Sequence, residues 1–507
     1  MTSHVEVRPG SYHDSVTLMQ VSRRLRDVPG VRAAQVAMGT PLNLDLLAAT
    51  GLPAPEGTRP DDLVVALDLA DDAALEPALT ELARALSEPA ASGARSEDQP
   101  PLTTGSALRR QPAGLVVVSV PGEAAFAEAV DAVQAGASVV VFSDNVPLEQ
   151  EVALKNLAAE QDVLVMGPDC GTAVVGGLGL GFANAVRPGP VSLVAASGTG
   201  AQQVMALLDA AGVGVRHCLG LGGRDLSAAV GGRSASQALR ALAADDGTEL
   251  AVLVSKPPDR AVAERLRNEA AALGLPVEEA LLGEDRPDLT AAVERVLARL
   301  GRPVPDWPTW PSGSASARTR PRGAALRGLF CGGTLCDEAM LLASAELGTM
   351  RSNIPLRPQW RLDVDGSGSW DAGDQHAMVD FGDDALTRGR PHPMIDPTLR
   401  DARLAAEARD PRVGVLLLDV VLGHGAHPDP ASELAPRVRA ARSLAVDGGR
   451  DLAVVVTLVG TADDPQGRDT QAAALAAAGA DVFASNAQAV RHAVALVAAT
   501  EAEGATR

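Results

Sequence analysis

The loop that follows the most apolar stretch of the chain, Val413–Asp419, carries two aspartates and two histidines within eleven residues: Asp419, His424, His427 and Asp429. Gly423 and Gly425 free the backbone around His424. An imidazole placed there can act as acid or base, or accept a phosphoryl group itself. The His-x-x-His spacing also suits a metal, but the surrounding prolines leave its geometry unset, and no metal is predicted. A loop-bracing role for both histidines stays open. A second loop, Gly389–Arg400, sets His392 between Pro391 and Pro393, which hold it extended, with Arg390 and Arg400 on either side. Arg390, His392 and Arg400 could hold the anionic group of a substrate. A rigid interdomain strap is the competing reading.

Three glycine-rich turns follow apolar strands. Ser197-Gly198-Thr199 follows Val191–Ala195, and Gly222-Gly223-Arg224-Asp225 follows His217–Leu221. Gly332-Gly333-Thr334 follows Leu326–Phe330. Small residues let a backbone approach an anion, and N–H groups at a helix start favour phosphate or carboxylate. Each turn is equally readable as a well-capped strand–helix junction. Thr334 suits a helix N-cap with Asp337 three residues on, and Arg224 could clamp an anion or pair with Asp225. The four cysteines (Cys170, Cys218, Cys331, Cys336) form no disulfide framework, and Cys336 reads as a buried structural thiol.

The elements that must position these residues alternate strand and helix. At 507 residues the chain is too long for one core. Linker-like stretches at Pro89–Pro112 and Pro303–Arg322, the latter with two tryptophans expected to dock on a domain, divide it. A small α/β domain of ferredoxin-like or regulatory type is expected at 1–88. A Rossmann-like domain follows at 113–188, and two doubly wound domains at 189–300 and 324–500. The fold class is therefore α/β, with apolar parallel strands covered on both faces. A net charge of −20 and the lack of a basic stripe argue against nucleic acid or an anionic membrane as partner. The charged first thirty residues and short apolar runs predict a cytoplasmic protein without a signal segment or membrane span.

Taken together, the motifs resemble a known architecture. Met166-Gly167-Pro168-Asp169-Cys170-Gly171 resembles the motif that closes the CoA-binding domain of the succinyl-CoA synthetase α subunit. Gly189–Gly200 and His217–Gly223 are similar to strands and turns of that subunit's ligase domain. The stretch 324–500 is similar to the carboxyl-terminal domain of the β subunit, with Gly332-Gly333-Thr334 and Gly423-His424-Gly425 at its turns. With Ser11–Met19 at the start and Arg390–Asp396 late in the chain, the whole resembles an FdrA-type protein.

The resemblance implies a CoA-binding Rossmann-like domain, including Gly167, Pro168, Asp169 and Cys170, followed by two flavodoxin-like ligase domains. It implies acyl-CoA synthetase-like chemistry. More narrowly, it implies one subunit of an oxamate carbamoyltransferase in ureide (allantoin) catabolism, phosphorolysing oxalurate to oxamate and carbamoyl phosphate. On that reading Ser197, Gly198, Thr199, Gly222, Gly223, Gly332, Gly333 and Thr334 bind phosphate or substrate, His424 is acid/base or phosphoryl carrier, and Arg390 with His392 orients a carboxylate. The family's phosphorylated histidine has no counterpart in residues 256–283, and no ATP-grasp domain is present. Two alternatives stand beside it: a subunit of a nucleotide-dependent acyl-CoA synthetase, and a non-catalytic CoA-binding scaffold. Expected ligands are CoA or phosphate and a small anionic substrate. Expected partners are separate protein subunits, within an oligomer.

Overall fold

A computed structural model describes residues 2–11, 13, 15–55, 57–87, 101–313 and 323–505. Residues 88–100 of the first expected linker and 314–322 of the second lie outside them.

The N-terminal domain comprises β1 (Thr2–Arg8), α1 (Ser15–Arg26), β2 (Val31–Met38), α2 (Pro41–Ala49), β3 (Leu63–Leu69) and α3 (Leu75–Ser87), with an antiparallel sheet ordered β1-β3-β2. The central strand is apolar almost throughout because both its faces are covered. Leu63, Val65 and Leu67 pack with α1 and α3, while Val64 and Ala66 pack with Leu47 of α2. The α2 helix carries a local start signal, Thr40 followed by Pro41 at the first helical position.

The expected linker is helical where it is described. In α4 (Thr104–Arg110), Thr103 and Ser106 form a reciprocal capping box, which outweighs the stretch's lack of apolar periodicity. The second domain then runs β4 (Leu115–Val118), α5 (Gly122–Gln134), β5 (Ser138–Val141), α6 (Leu148–Glu160) and β6 (Val165–Met166), with a parallel sheet ordered β4-β5-β6.

The hairpin β7 (Thr172–Val175) and β8 (Leu178–Gly181) belongs to the third sheet, so the sheet boundary falls before residue 172 rather than near 188. After the hairpin come β9 (Val191–Ala196), α7 (Gly198–Ala210), β10 (Val215–Gly220), α8 (Arg233–Ala243), β11 (Leu250–Ser255), α9 (Arg260–Ala272), β12 (Val277–Leu281) and α10 (Leu289–Arg299). The order is β12-β11-β9-β10-β7-β8, and the four inner-to-edge strands β9 to β12 are parallel.

The fourth domain runs β13 (Thr309–Trp310), β14 (Ala325–Phe330), α11 (Gly333–Leu347), β15 (Met350–Arg351), β16 (His376–Asp380), α12 (Asp384–Thr387) and α13 (Thr398–Arg409). It continues with β17 (Val413–Val421), α14 (Pro430–Asp447), β18 (Ala453–Val459), α15 (Arg468–Ala477), β19 (Ala480–Phe483) and α16 (Asn486–Ala505). Its sheet, ordered β13-β19-β18-β17-β14-β16-β15, is parallel except for β13. Both tryptophans of the second linker dock: Trp307 donates to Glu294, and Trp310 pairs in β13 with Val482. No helix among the described residues is long and apolar enough to cross a membrane.

The third and fourth domains share one core. Val204, Leu208, Val293 and Leu297 of α7 and α10 belong to the same buried cluster as Leu335, Met340, Val490 and Val494 of α11 and α16. Buried polar groups within this layer are matched. Glu338 accepts from Leu289 N–H and Asn486 Nδ2, both at 2.7 Å, and Gln203 and Asn486 join α7 to α16 at 3.0 Å. Because Glu338, Gln203 and Asn486 are bonded across these helices, the pairing of the helices has a preferred register. That register fixes where α7 and α11 begin.

Candidate active site

The carboxyl ends of β9, β10, β14 and β16, the start of α5 and the α1/β2 face of the N-terminal domain enclose a cavity of about 750 Å³. Ligands of open parallel sheets bind at such an edge. Ser197 caps α7 by accepting from Gly200 N–H at 2.9 Å. Its hydroxyl also lies 2.6 Å from that of Thr334, in the first turn of α11. A Cβ on Gly200 would come within 2.9 Å of the Thr334 methyl, and one on Gly332 within 2.8 Å of the Thr199 hydroxyl. Glycine at both places lets the turns meet. The cavity wall thus presents two helix N-termini, with their unpaired N–H groups and partial positive charge, side by side.

Thr334 is not the cap of α11. Gly332 holds that position and, having no side chain, makes no capping bond, while the Thr334 hydroxyl is engaged by Ser197. Gly332 itself does not line the cavity. Its N–H (2.9 Å) and that of Cys331 (2.7 Å) donate to the fully buried Asp419, which draws Arg400 onto its carbonyl at 2.7 Å. An internal carboxylate therefore fills the anion nest expected at Gly332, and Arg400 is committed to it rather than to a substrate. Gly333 and Thr334 remain on the cavity wall.

Lys256, just beyond β11, is a residue that motif reading missed. Its side chain is 40% exposed, and it lines the cavity. Nζ lies 4.0 Å from Asp337. A Cβ placed on Gly333 would be 2.7 Å from both Nζ and an Asp380 oxygen, so amine, carboxyl and helix start converge. Burial alone would lower the amine, but Asp337, Asp380 and Asp169 outweigh it and hold Lys256 raised. The carboxyls respond in kind. Enclosure pushes Asp380 up to about 7 against the pull of Lys256 and the Gly382 N–H. Asp169, which also lines the cavity, is pushed up to about 7 by desolvation and the nearby Asp384 and Asp144. Asp337 rises to about 6. The signal that could have found Lys256 is compositional: the chain has only two lysines, Lys155 and Lys256, among 44 Lys and Arg residues.

His392 and Arg390 line the cavity. Burial, with Arg400 adding to it, pushes His392 down to about 4, so the ring is neutral. Its Nδ1 accepts from Met394 N–H at 3.2 Å, which leaves the proton on Nε2. The ring therefore presents a donor toward the Asp380–Gly382 turn. Gly222 and Gly223 line the cavity too. Gly222, at φ +81°, is pressed on the Pro168 carbonyl, where any Cβ would overlap it. Gly167 and Pro168 support that contact from behind the wall, whereas Asp169 and Cys170 reach the cavity. The Cys170 thiol is buried and pushed up to about 12, so it stays protonated.

His424 lies elsewhere. Gly423, at φ +120°, packs against the Ala183 carbonyl, and the His424 N–H donates to that same oxygen at 2.8 Å. The loop is thereby turned over residues 182–184, leaving His424 exposed and outside the cavity. The expectation that it shares a site with the glycine turns is corrected. His427 braces the loop, with Nδ1 accepting from Asp429 N–H at 2.9 Å and Nε2 beside Glu433 and Arg23 of α1. Arg224 does not clamp an anion, because it pairs with Glu151 at 2.9 Å and the Val146 carbonyl at 2.8 Å. Asp225 accepts from the fully buried Lys155 at 2.8 Å, and Lys155 also donates to Glu151.

Residues 329–496 match the CoA-ligase family, and residues 1–101 match the AllF heavy metal-associated domain. The latter has no cysteine here, and among the described residues no three His, Cys, Asp or Glu side chains converge as metal ligands. The residues therefore do not fit a thiolate-bound metal. CoA, which the ligase family implies, is poorly matched at the α5 turn. There the charged lining side chains include Glu123, Asp144, Asp169 and Asp384, whose carboxylates repel a diphosphate. The uncharacterized protein YahF of Escherichia coli K12 is 39% identical over 513 residues, covering 96% of this chain and 97% of YahF. The mitochondrial succinate–CoA ligase [ADP-forming] subunit alpha-2 of Trichomonas vaginalis is 26% identical over 154 residues, 29% of this chain and 48% of that one. Among solved structures, the dinucleotide-forming acetyl-coenzyme A synthetase 1 of Ca. Korarchaeum cryptofilum, in complex with phosphate and ADP, aligns at 14% identity. Its TM-score is 0.27, over 77% of this chain and 85% of that one. By its end-to-end identity with YahF and its CoA-ligase domain, the chain belongs to the YahF family of succinyl-CoA synthetase-like proteins.

Proposed function

We propose that the chain is the acyl-transferring subunit of a ligase-type enzyme, which moves a small anionic acyl group from an amide or thioester donor to phosphate inside the interdomain cavity, the donor's nitrogen or sulfur leaving with a proton. The observation that carries this reading is the meeting of two helix starts, from two different sheets, at the 2.6 Å contact of Ser197 with Thr334. Two adjacent N-termini suit two anionic groups that must react with each other. Gly198, Thr199, Gly333 and Thr334 offer N–H and hydroxyl donors to phosphate, and the same donors stabilise charge developing on the acyl oxygen. His392 Nε2–H and Arg390 orient the substrate carboxylate. Separate subunits complete the enzyme.

A second, narrower reading is the carbamoyl transfer implied by the FdrA-type resemblance, and two observations favour it. Residues 1–101 match an AllF domain, and that domain contributes to the cavity wall. In phosphorolysis of oxalurate a phosphate oxygen attacks the carbamoyl carbon, the carbon–nitrogen bond breaks, and the departing oxamate nitrogen takes a proton. Asp169 and Asp380, both held near 7, are acids suited to supply it. Calorimetry with inorganic phosphate, carbamoyl phosphate and CoA tests both readings, together with exchange of labelled phosphate into acyl or carbamoyl phosphate in the presence of the partner subunits. Phosphate binding and exchange are expected. Tight CoA binding with labelling of the protein by nucleoside triphosphate, and no exchange, would replace both readings with a nucleotide-dependent synthetase.

A further inference from the structure

We infer that Lys256 is the residue that receives the charge of the anionic group bound at the two helix starts, and that its amine contacts that group directly. The inference deepens the proposed function and rests on reading the cavity as an anion site.

Two features of the sequence and fold single this residue out. The chain uses arginine for nearly every cation and keeps only two lysines. One of them, Lys155, is fully buried, with its three donors spent on Glu151 (2.8 Å), Asp225 (2.8 Å) and the Leu221 carbonyl (3.0 Å). Its role is structural. Lys256 is its opposite in every respect. It stands at the carboxyl end of β11, beside β9 whose own end leads into Ser197. Its ammonium makes no hydrogen bond among the described residues, and its nearest carboxylate, Asp337, is 4.0 Å away. The residue lines the cavity.

The surroundings hold the amine charged without consuming it. Asp337, Asp380 and Asp169 are close enough to favour the ammonium, yet none is seated on it. A compact ammonium with rotatable donors can follow a phosphate oxygen from its tetrahedral start to the reacting geometry, whereas a planar guanidinium presents a fixed fork. The first turn of α11 lies against the same amine, so a bound oxygen would meet helix N–H groups and Lys256 together. No covalent bond to the lysine is involved.

The scarcity of lysine makes the test direct. The full-length protein is methylated with formaldehyde and a borane reductant, and the modified amines are followed by mass spectrometry. Lys256 and the N-terminus are expected to react, and Lys155 is expected to stay unmodified. Inorganic phosphate at saturation is expected to slow modification of Lys256 at least five-fold and to leave the N-terminus unchanged. In calorimetry, Lys256→Met is expected to weaken phosphate binding at least ten-fold with an unchanged melting temperature, and Lys256→Arg to restore only part of the loss. If phosphate binds by calorimetry yet leaves the Lys256 rate unaltered, or if Lys256 does not react at all, this inference is overturned while the anion-site reading stands. If no phosphate binding is detected in the wild-type protein, both fall together.

Discussion

Lys155→Met is the sharpest perturbation of the framework behind the cavity. The ammonium sits between Glu151 on α6 and Asp225 after β10, with all three side chains at most 1% exposed. It therefore ties the second domain to the Gly222–Gly223 turn of the cavity wall. Methionine keeps most of the volume, so the loss is one of charge rather than of packing. Removing one member of a buried ion pair strands the others, at a cost of about 3–5 kcal/mol. Asp225 would still accept from Ser234 N–H (3.2 Å) and Ala235 N–H (3.0 Å), and Glu151 would keep Arg224, which argues for the lower half of that range. A four-domain chain does not unfold as one unit, so a global midpoint would blur the effect. Hydrogen exchange across residues 221–235 reads it locally. At about 1.4 kcal/mol per factor of ten, exchange there should accelerate by roughly two orders of magnitude or more. Adding Glu151→Gln and Asp225→Asn to Lys155→Met removes the stranded charges and should recover much of the protection. An acceleration of less than ten-fold in the single variant would refute the reasoning, because it would mean that the ion cluster is not what holds the turn.

Three further outcomes follow from the geometry. Asp169 and Asp380 keep their protons up to about 7, whereas the unfolded chain releases them near the ordinary carboxyl range. Their contribution to stability therefore falls as pH rises between those limits. Sulfate, which does not titrate there, should bind less well at pH 8 than at pH 6, and Asp380→Asn should flatten that dependence; tighter binding at pH 8 would contradict it. His392 should remain neutral from pH 5 to 8, with its proton on Nε2, in nitrogen-15 spectra; a ring that titrates near its ordinary value would show that it is not enclosed. His424→Ala should leave phosphate affinity within about two-fold, since the ring is outside the cavity; a ten-fold loss would return His424 to the site.

How far the sequence can be read depends on the range of the interaction involved. The β9–α7 junction is legible because its cause is local: an apolar strand, then Ser197 as a cap, then small residues. The same holds for the alternation of strand and helix through the last three domains. What escaped depends on contacts between distant segments. The β7–β8 hairpin follows the second domain in sequence, but Val174 pairs with Cys218 of the third sheet. Asp419 lies within an apolar strand, and nothing local announces that it will accept from the N–H of Gly332, 87 residues earlier. His424 and its glycines look like a reactive loop, yet a carbonyl at Ala183 decides where the ring points. Lys256 has no motif around it. Only the docking of two sheets brings it to the start of α11.

The helix layer common to the third and fourth domains has a consequence for assembly. Were the two ligase-like halves separate polypeptides, the meeting of Ser197 with Thr334 would be lost on dilution, and the site would exist only above some protein concentration. Here both turns lie on one chain, 137 residues apart, so each half meets the other at a fixed effective concentration however scarce the protein is. The association that could still respond to concentration is that with other chains. The anion-binding wall should therefore be intact in the isolated polypeptide at nanomolar levels, and any dependence of turnover on dilution would report on partner subunits alone.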